Sequence, residues 1–91
     1  MYEKKVIIME QVGLHARPAT YLIQKAVEFK SSIWIEKDER RVNAKSLLGV
    51  LSLGAGKGST ISIIADGVDE KRAVDTLCDL INSNFAENDS L

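Results

Sequence analysis

The chain has 91 residues, 45% of them hydrophobic and 27% charged, which is the composition of one globular domain spanning residues 1–91. Its net charge of −1 argues against general affinity for nucleic acids, because that affinity requires an excess of Lys and Arg. No apolar run approaches membrane-spanning length, and no signal peptide is recognisable. A single cysteine excludes an internal disulfide, so we expect a cytoplasmic protein.

Hydrophobic periodicity predicts a strand, a helix and a β-hairpin in the first half of the chain. Val6 and Ile8 share one face of the first strand. The hairpin turns at Asp38 and Glu39, which are not the favoured Asn-Gly pair, so the turn geometry stays open. The predicted positions are 2–9 for the strand, 10–14 for a loop, 16–27 for the helix, and 33–37 and 40–43 for the hairpin strands.

The second half is predicted to form a short helix, a strand and a final helix. Ser46 and Asp69 each precede an apolar periodic run, so each is a predicted helix N-cap. Three glycines after the short helix lack Walker spacing and therefore predict a helix end and a turn rather than a phosphate-binding loop. The predicted positions are 47–53 for the short helix, 60–65 for the strand, 70–84 for the final helix (Ala73, Leu77, Leu80 and Ile81 inward) and 85–91 for a polar, frayed tail.

This order of elements, β-α-β-β-α-β-α, predicts an α+β fold with a split β-α-β arrangement. Alternation places Trp34 on the strand face opposite to Ile33 and Ile35. A singly exposed aromatic side chain needs no functional explanation, so we prefer that interpretation of Trp34 to a docking role. No role is assigned to Cys78 on the final helix.

Residues 13–20, with the sequence GLHARPAT, join the first strand to the first helix and contain the only histidine and the only proline. The N–H groups and the dipole at a helix start favour anions, and Pro18 suits the first turn, where its missing N–H is not needed. Gly13 permits a backbone conformation that other residues resist. His15 is then a nucleophile beside N–H donors and the Arg17 cation, which suggests a site that carries a phosphoryl group.

Other interpretations of this segment are a surface histidine or a plain helix cap without chemistry. A metal site is not expected, because there is no second histidine and Cys78 is the only thiol. A serine-hydrolase triad is within the residue inventory, but no G-x-S-x-G motif is present.

Residues 13–20 resemble the active-site signature of the HPr family, the histidine-containing phosphocarriers of the bacterial sugar phosphotransferase system. Residues 43–54, with the sequence NAKSLLGVLSLG, are similar to the regulatory serine segment of that family, at the spacing the family uses. The likeness extends to about residue 84. It implies an open-faced β-sandwich, in which a four-stranded antiparallel sheet carries three helices on one face.

The resemblance also implies a mechanism. Enzyme I, charged by phosphoenolpyruvate, donates a phosphoryl group to Nδ1 of His15, which passes it to Enzyme IIA components. Ala16 and Arg17 would hold the phosphate through backbone N–H groups, and Arg17 also through its guanidinium. We expect a monomeric carrier rather than an enzyme, with no cofactor or metal and with no nucleic-acid or membrane partner.

The short helix after Ser46 is too apolar to bury all of its side chains. Leu47, Leu48 and Leu51 cannot all face inward together with Val50 and Leu53. Exposed apolar side chains beside a reactive histidine indicate partner docking, whereas the alternative is a fully buried helix. We place Leu48 outward. The predicted docking residues are Thr20, Leu47, Leu48 and Leu51.

Ser46 has two interpretations. As a plain N-cap it stabilises its helix by ~1 kcal/mol. The resemblance implies that it is also phosphorylated by HPr kinase/phosphorylase, which would make the chain a co-regulator of the catabolite control protein. The alternative function is therefore a regulatory HPr-like binding module that acts through Ser46 without sugar transport. The presence of His15 favours the carrier.

Overall fold

A computed structural model describes residues 1–9 and 13–85 of the chain. These residues form four strands and three helices in the order predicted from the sequence. The strands are β1 (Tyr2–Ile7), β2 (Ser32–Lys37), β3 (Arg40–Asn43) and β4 (Thr60–Asp66), and the helices are α1 (Ala16–Ala26), α2 (Leu47–Ser52) and α3 (Glu70–Asn82).

The four strands form one antiparallel sheet in the order β1-β4-β2-β3. Strand β4 lies in the interior, where Ile63 pairs with Lys4 on one side and Ile35 on the other. The sequence of β4 explains this position, because five consecutive residues of this strand are buried, as expected for a central strand. The predicted four-stranded antiparallel sheet with three helices is confirmed.

The helices cover one face of the sheet, and the core fills the space between them. Val6 and Ile8 of the first strand segment are buried, whereas Ile7 between them is 50% exposed, as the alternation predicted. Helices α1 and α3 each bury one stripe of side chains against this face. The fully buried large side chains include Leu22, Ile33, Ile35, Ile61, Ile63, Leu77, Leu80 and Ile81.

Trp34 lies on the opposite face of the sheet, as predicted, but it is half-buried rather than exposed. The guanidinium carbon of Arg41 lies 5.8 Å from the centre of its ring, and Arg41 also bonds the carboxylate of Glu36. Trp34 pairs with Ile64, which is buried although it lies on the face away from the helices. The side chains of neighbouring strands therefore partly cover Trp34.

The turn between β2 and β3 has a geometry that the sequence left open. Asp38 and Glu39 have φ angles of 51° and 68°, so both residues adopt the left-handed conformation. Two positive φ angles are typical of the type I′ turn, whose twist matches that of the flanking strands. Two acidic residues therefore occupy positions that usually favour Asn and Gly.

The prediction that the polar tail begins at residue 85 is wrong. Phe85 is only 5% exposed, and its N–H donates a hydrogen bond of 2.8 Å to the carbonyl of Leu80. Asn84 and Phe85 both have positive φ angles, which end α3 early, at Asn82, and turn the aromatic ring back to the core. Burial of the ring offsets the conformational strain. The rest of the predicted tail lies outside the described residues.

Asp69 occupies the predicted N-cap of α3, but its side chain does not cap that helix. Its carboxylate instead accepts hydrogen bonds from the Ser31 hydroxyl and from the N–H groups of Lys30 and Ser31, the latter two at 2.9 Å. These bonds, the Ser31 hydroxyl first and the Lys30 N–H next, lower the pKa of Asp69 to about 2. The carboxylate thus ties the turn after α1 to the start of α3.

The segment that precedes α1 is held against the loop between α2 and β4. Leu14 is buried, and its N–H donates a hydrogen bond of 2.8 Å to the carbonyl of Ala55. Gly13 has a φ of +77°, and a Cβ atom there would lie 2.4 Å from the same carbonyl oxygen. Only glycine therefore allows this close approach.

We expect Asp69→Asn to lower the melting temperature at neutral pH, and the difference from the wild type to shrink as the pH falls. The folded-state pKa of Asp69, about 2, lies below its ordinary value of 3.8. The carboxylate therefore stabilises the fold above the ordinary value and loses this effect as the pH falls through about 2. Thermal melts in this range test the prediction, with Asp79→Asn on the exposed surface of α3 as control. A difference that stays constant down to pH 2 would contradict it.

We expect a graded loss of stability from alanine at three glycines. Gly56→Ala should be nearly neutral, because its φ is not positive and a Cβ would meet no atom within 4 Å. Gly54→Ala has the same open space but a φ of +61°, so it should cost roughly 1–2 kcal/mol. Gly13→Ala combines a positive φ with a backbone clash and should cost more than Gly54→Ala. Urea unfolding measures the free energy of unfolding of the three variants. Equal losses of this free energy for Gly13→Ala and Gly54→Ala would show that the backbone clash at Gly13 has no effect.

Candidate functional site

His15 is the N-cap residue of α1, as predicted from the sequence. Its N–H donates to the carbonyl of Gly13 at 3.0 Å, and its own carbonyl accepts the N–H of Ala19 at 3.0 Å. Its side chain makes no capping hydrogen bond and the residue is exposed. The backbone of His15 is therefore fixed, while its imidazole is presented to solvent.

The first turn of α1 provides a positive electrostatic environment beside this imidazole. It holds no acidic residue, so no carboxylate offsets the positive end of the helix dipole. The N–H groups of Ala16 and Arg17 belong to this turn and point out of the helix start. Pro18 follows in the same turn and is buried, which anchors the turn to the core. The arrangement suits an anion attached to His15.

Arg17 is close to His15 in sequence, but its guanidinium is held by Tyr21, one helical turn further along α1. Nε of Arg17 donates a hydrogen bond of 3.3 Å to the Tyr21 hydroxyl, and the guanidinium carbon lies 5.9 Å from the centre of the ring. Tyr21 was not among the site residues predicted from the sequence. The signal was present, because residues four apart are neighbours on a helix surface.

Thr20, predicted as a docking residue, is half-buried on α1. Its hydroxyl donates a hydrogen bond of 2.7 Å to the carbonyl of Ala16. This hydroxyl already has an acceptor within its own helix, so its methyl group is the part that suits an apolar contact.

Helix α2 divides its side chains between the core and the surface as the sequence analysis required. Val50 is fully buried and Leu53 is 6% exposed. Leu48 is 74% exposed, which agrees with its predicted outward position. Helix α2 packs against α1, the helix that begins beside His15. The exposed leucines, here called the leucine patch, are Leu47, Leu48 and Leu51.

Ser46 is the N-cap of α2, and its hydroxyl oxygen accepts a hydrogen bond of 3.1 Å from the Gly49 N–H. At the other end of α2, Arg40 donates to the carbonyl of Ser52 at 2.8 Å and to its hydroxyl at 3.2 Å. Lys45, just before the cap, donates from Nζ to the carbonyl of Phe29 at 2.7 Å. Both ends of α2 are thus bound to neighbouring segments, which fixes the leucine patch.

The segments that build this side of the molecule are basic, although the whole chain has a net charge of −1. Residues 11–27 and 40–65, which include α1 and α2, contain no Asp or Glu. A count of charge over the whole chain, as in the sequence analysis, misses this separation. The basic residues of the two segments are Arg17, Lys25, Arg40, Arg41, Lys45 and Lys57, of which Arg41 lies over Trp34 on the other face of the sheet.

Clustered metal ligands and a reactive thiol are two further kinds of chemical group to consider in the part of the chain that the structure describes. Within it, no three His, Cys, Asp or Glu side chains are grouped so that they could hold a metal ion. No helix within residues 1–9 and 13–85 is long and apolar enough to cross a lipid bilayer. Cys78 is buried, and this burial raises the pKa of its thiol, so it is a poor nucleophile.

Comparisons with known proteins agree with this geometry. The family model PTS-HPr, described as the PTS HPr component phosphorylation site, matches residues 2–83. The chain is 42% identical to the phosphocarrier protein HPr of Neisseria meningitidis over 98% of its length and 100% of the relative. It is 49% identical to the HPr-like protein Crh of Halalkalibacterium halodurans, over 85% and 92% of the two chains.

A solved HPr structure from Thermoanaerobacter tengcongensis has the same fold. It superimposes with a TM-score of 0.92 at 46% identity, covering 94% of this chain and 97% of the other. The family match covers most of the chain, and the two relatives are 42% and 49% identical to it over most of its length. The chain therefore belongs to the HPr family of phosphocarrier proteins.

Proposed function

We propose that this chain accepts a phosphoryl group from phosphorylated Enzyme I on Nδ1 of His15 and passes it to Enzyme IIA during sugar uptake. The observation that carries this proposal is the exposed imidazole of His15 at the N-cap of α1. His15 is the only histidine of the sequence, so no other residue of this type can take the role.

The transfer requires the lone pair of Nδ1 to attack phosphorus while the bond from phosphorus to the donor breaks. The imidazole must therefore be neutral, with its proton on Nε2, when it accepts the group. In the second step the bond from Nδ1 to phosphorus breaks and a bond to the acceptor protein forms. The chain is a substrate in both steps, phosphorylated in the first and dephosphorylated in the second, so we propose that it acts as a carrier and not as an enzyme.

Arg17 and Ala16 are the proposed phosphate ligands. The guanidinium of Arg17 supplies charge and a planar fork, and the N–H groups of Ala16 and Arg17 lie at the positive end of the helix dipole. Such exposed, partly solvated donors hold a phosphoryl group weakly. Weak binding suits a carrier, because strong ground-state stabilisation would slow the second transfer.

The leucine patch, with Thr20, is the proposed docking surface for both protein partners. Leu48 at 74% exposure offers an apolar contact, and the basic segments around it favour a partner surface that carries acidic residues. We propose that the chain acts as a monomer in the cytoplasm. One solved relative is an HPr dimer from T. tengcongensis, so the oligomeric state of this chain is to be measured in solution.

Ser46 is the proposed regulatory site, phosphorylated by HPr kinase/phosphorylase and then recognised by the catabolite control protein. A phosphate adds a charge of about −1.5 to −2 at this position. The change is large here, because residues 40–65 carry no acidic side chain. A phosphate on Ser46 would also remain beside the Gly49 N–H, which the hydroxyl oxygen already contacts. Docking of an acidic partner would weaken without refolding of α2.

A second candidate function is a regulatory module that acts through Ser46 alone. The observation that favours it is the 49% identity to a relative named HPr-like protein Crh, since this name does not describe that relative as a phosphocarrier. The two candidates differ in one measurable property, the ability of His15 to accept a phosphoryl group from Enzyme I.

We expect incubation with phosphoenolpyruvate and Enzyme I to place an acid-labile phosphate on His15. Intact-mass and peptide mass spectrometry measure it, and His15→Ala should abolish it, while Ser46→Ala should leave it unchanged. HPr kinase and ATP should give the converse result, an acid-stable phosphate that Ser46→Ala removes. Phosphate uptake by His15→Ala equal to that of the wild type would refute the carrier function. Labelling at Ser46 alone would favour the regulatory module.

We expect Leu48→Glu to raise the KM for Enzyme I in phosphorylation of His15 by tenfold or more and to leave the melting temperature nearly unchanged. Leu48 is 74% exposed, so its replacement removes little core packing but adds a charge to the docking surface. Val68→Glu is the matched control, because Val68 is 89% exposed just before α3. An equal effect of both variants would show that the leucine patch is not the docking surface.

A further inference from the structure

Tyr21, one turn after Arg17 in α1, contacts the Arg17 side chain. The Tyr21 ring is half-buried and packs against the hydrophobic core, so it is a firm support. Its hydroxyl accepts a hydrogen bond of 3.3 Å from Nε of Arg17. The guanidinium carbon lies 5.9 Å from the ring centre, within the range of a cation–π contact.

Helix geometry gives this contact a direction. The Cα–Cβ bonds of an α-helix tilt toward its N-terminus, so Tyr21 leans over the turn that contains Arg17. The Cα–Cβ bond of Arg17 tilts the same way, toward the end of α1 that His15 caps. The contact with Tyr21 therefore keeps the guanidinium along the first two turns of α1.

We propose that Tyr21 is a positioning residue for phosphoryl transfer, which it assists by holding the guanidinium of Arg17 toward the start of α1. This inference rests on the proposed role of His15. A long exposed Arg side chain loses rotamer freedom when it binds phosphate, and a side chain that is already held loses less. The contact with Tyr21 engages Nε, which is not one of the two terminal nitrogens that an end-on fork toward a phosphate uses.

The test compares Tyr21→Phe, Arg17→Met and the double variant in transfer from Enzyme I to His15. Tyr21→Phe keeps the packed ring and removes the hydroxyl, so we expect kcat to fall by about two- to fivefold at unchanged KM. In the Arg17→Met background, whose side chain has no donor for the Tyr21 hydroxyl, Tyr21→Phe should have no further effect. Tyr2→Phe is the matched control, because the Tyr2 hydroxyl makes a bond of equal length, 3.3 Å, to Asp75 of α3.

A second readout does not depend on phosphorylation. In the free protein the Nε–H resonance of Arg17 should be resolved in nitrogen-15 NMR spectra of the wild type and of Tyr2→Phe, and should broaden or shift in Tyr21→Phe. An unchanged resonance would show that the hydroxyl does not hold Arg17 in solution, and would overturn the inference.

The kinetic outcomes separate this inference from the function on which it rests. If the wild type accepts no phosphate at His15, the proposed function fails and the positioning role fails with it. If the wild type accepts phosphate and Tyr21→Phe keeps the wild-type kcat, only the positioning role is overturned. An equal loss in the wild-type and Arg17→Met backgrounds would also overturn it, because Tyr21 would then act by a route that does not involve Arg17. A rise in KM alone would assign Tyr21 to docking instead.

Discussion

The hydrogen bond from the Leu14 N–H to the Ala55 carbonyl, at 2.8 Å, fixes the start of α1 against the loop that follows α2. Both residues are buried, so breaking the bond would leave an unsatisfied donor and acceptor away from water. The absence of a side chain at Gly13 permits the close approach. Because His15 follows Leu14 directly, this contact between distant parts of the chain sets where the imidazole stands. The contact thus fixes the backbone from which the proposed phosphoryl acceptor projects.

The same contact brings the start of α1 beside the segment that carries the leucine patch. Helix α2 has only six residues and would not be stable alone, so its orientation depends on contacts at its ends. Ser46 caps its first turn, and Arg40 bonds the carbonyl of Ser52 at its last. An exposed apolar surface with a fixed backbone can dock without ordering the chain, which lowers the entropic cost of each encounter. The proposed docking of two partners in succession would benefit from such a rigid surface.

Periodicity predicted all seven elements, the capping bond of Ser46 and the outward position of Leu48, because each depends on residues close in sequence. The bonds from Asp69 to the turn after α1 could not be predicted, since its partners lie 38 and 39 positions away. The burial of Phe85 was missed because a single aromatic beyond a helix has no periodic pattern. Tyr21 was missed although it follows Arg17 by four positions, because a polar contact between two side chains of one helix has no hydrophobic periodicity. The chemical role of His15 stays a prediction from the sequence.

Chemical modification of Cys78 can report how often the native fold opens. It is the only thiol, it lies on α3 with 5% exposure, and burial raises its pKa. A thiol reagent can therefore modify it only in molecules where α3 has separated from the sheet. When reclosing is fast, the rate of modification equals the fraction of open molecules multiplied by the rate for an exposed cysteine. The free energy of opening under native conditions can thus be measured in ordinary buffer, without denaturant.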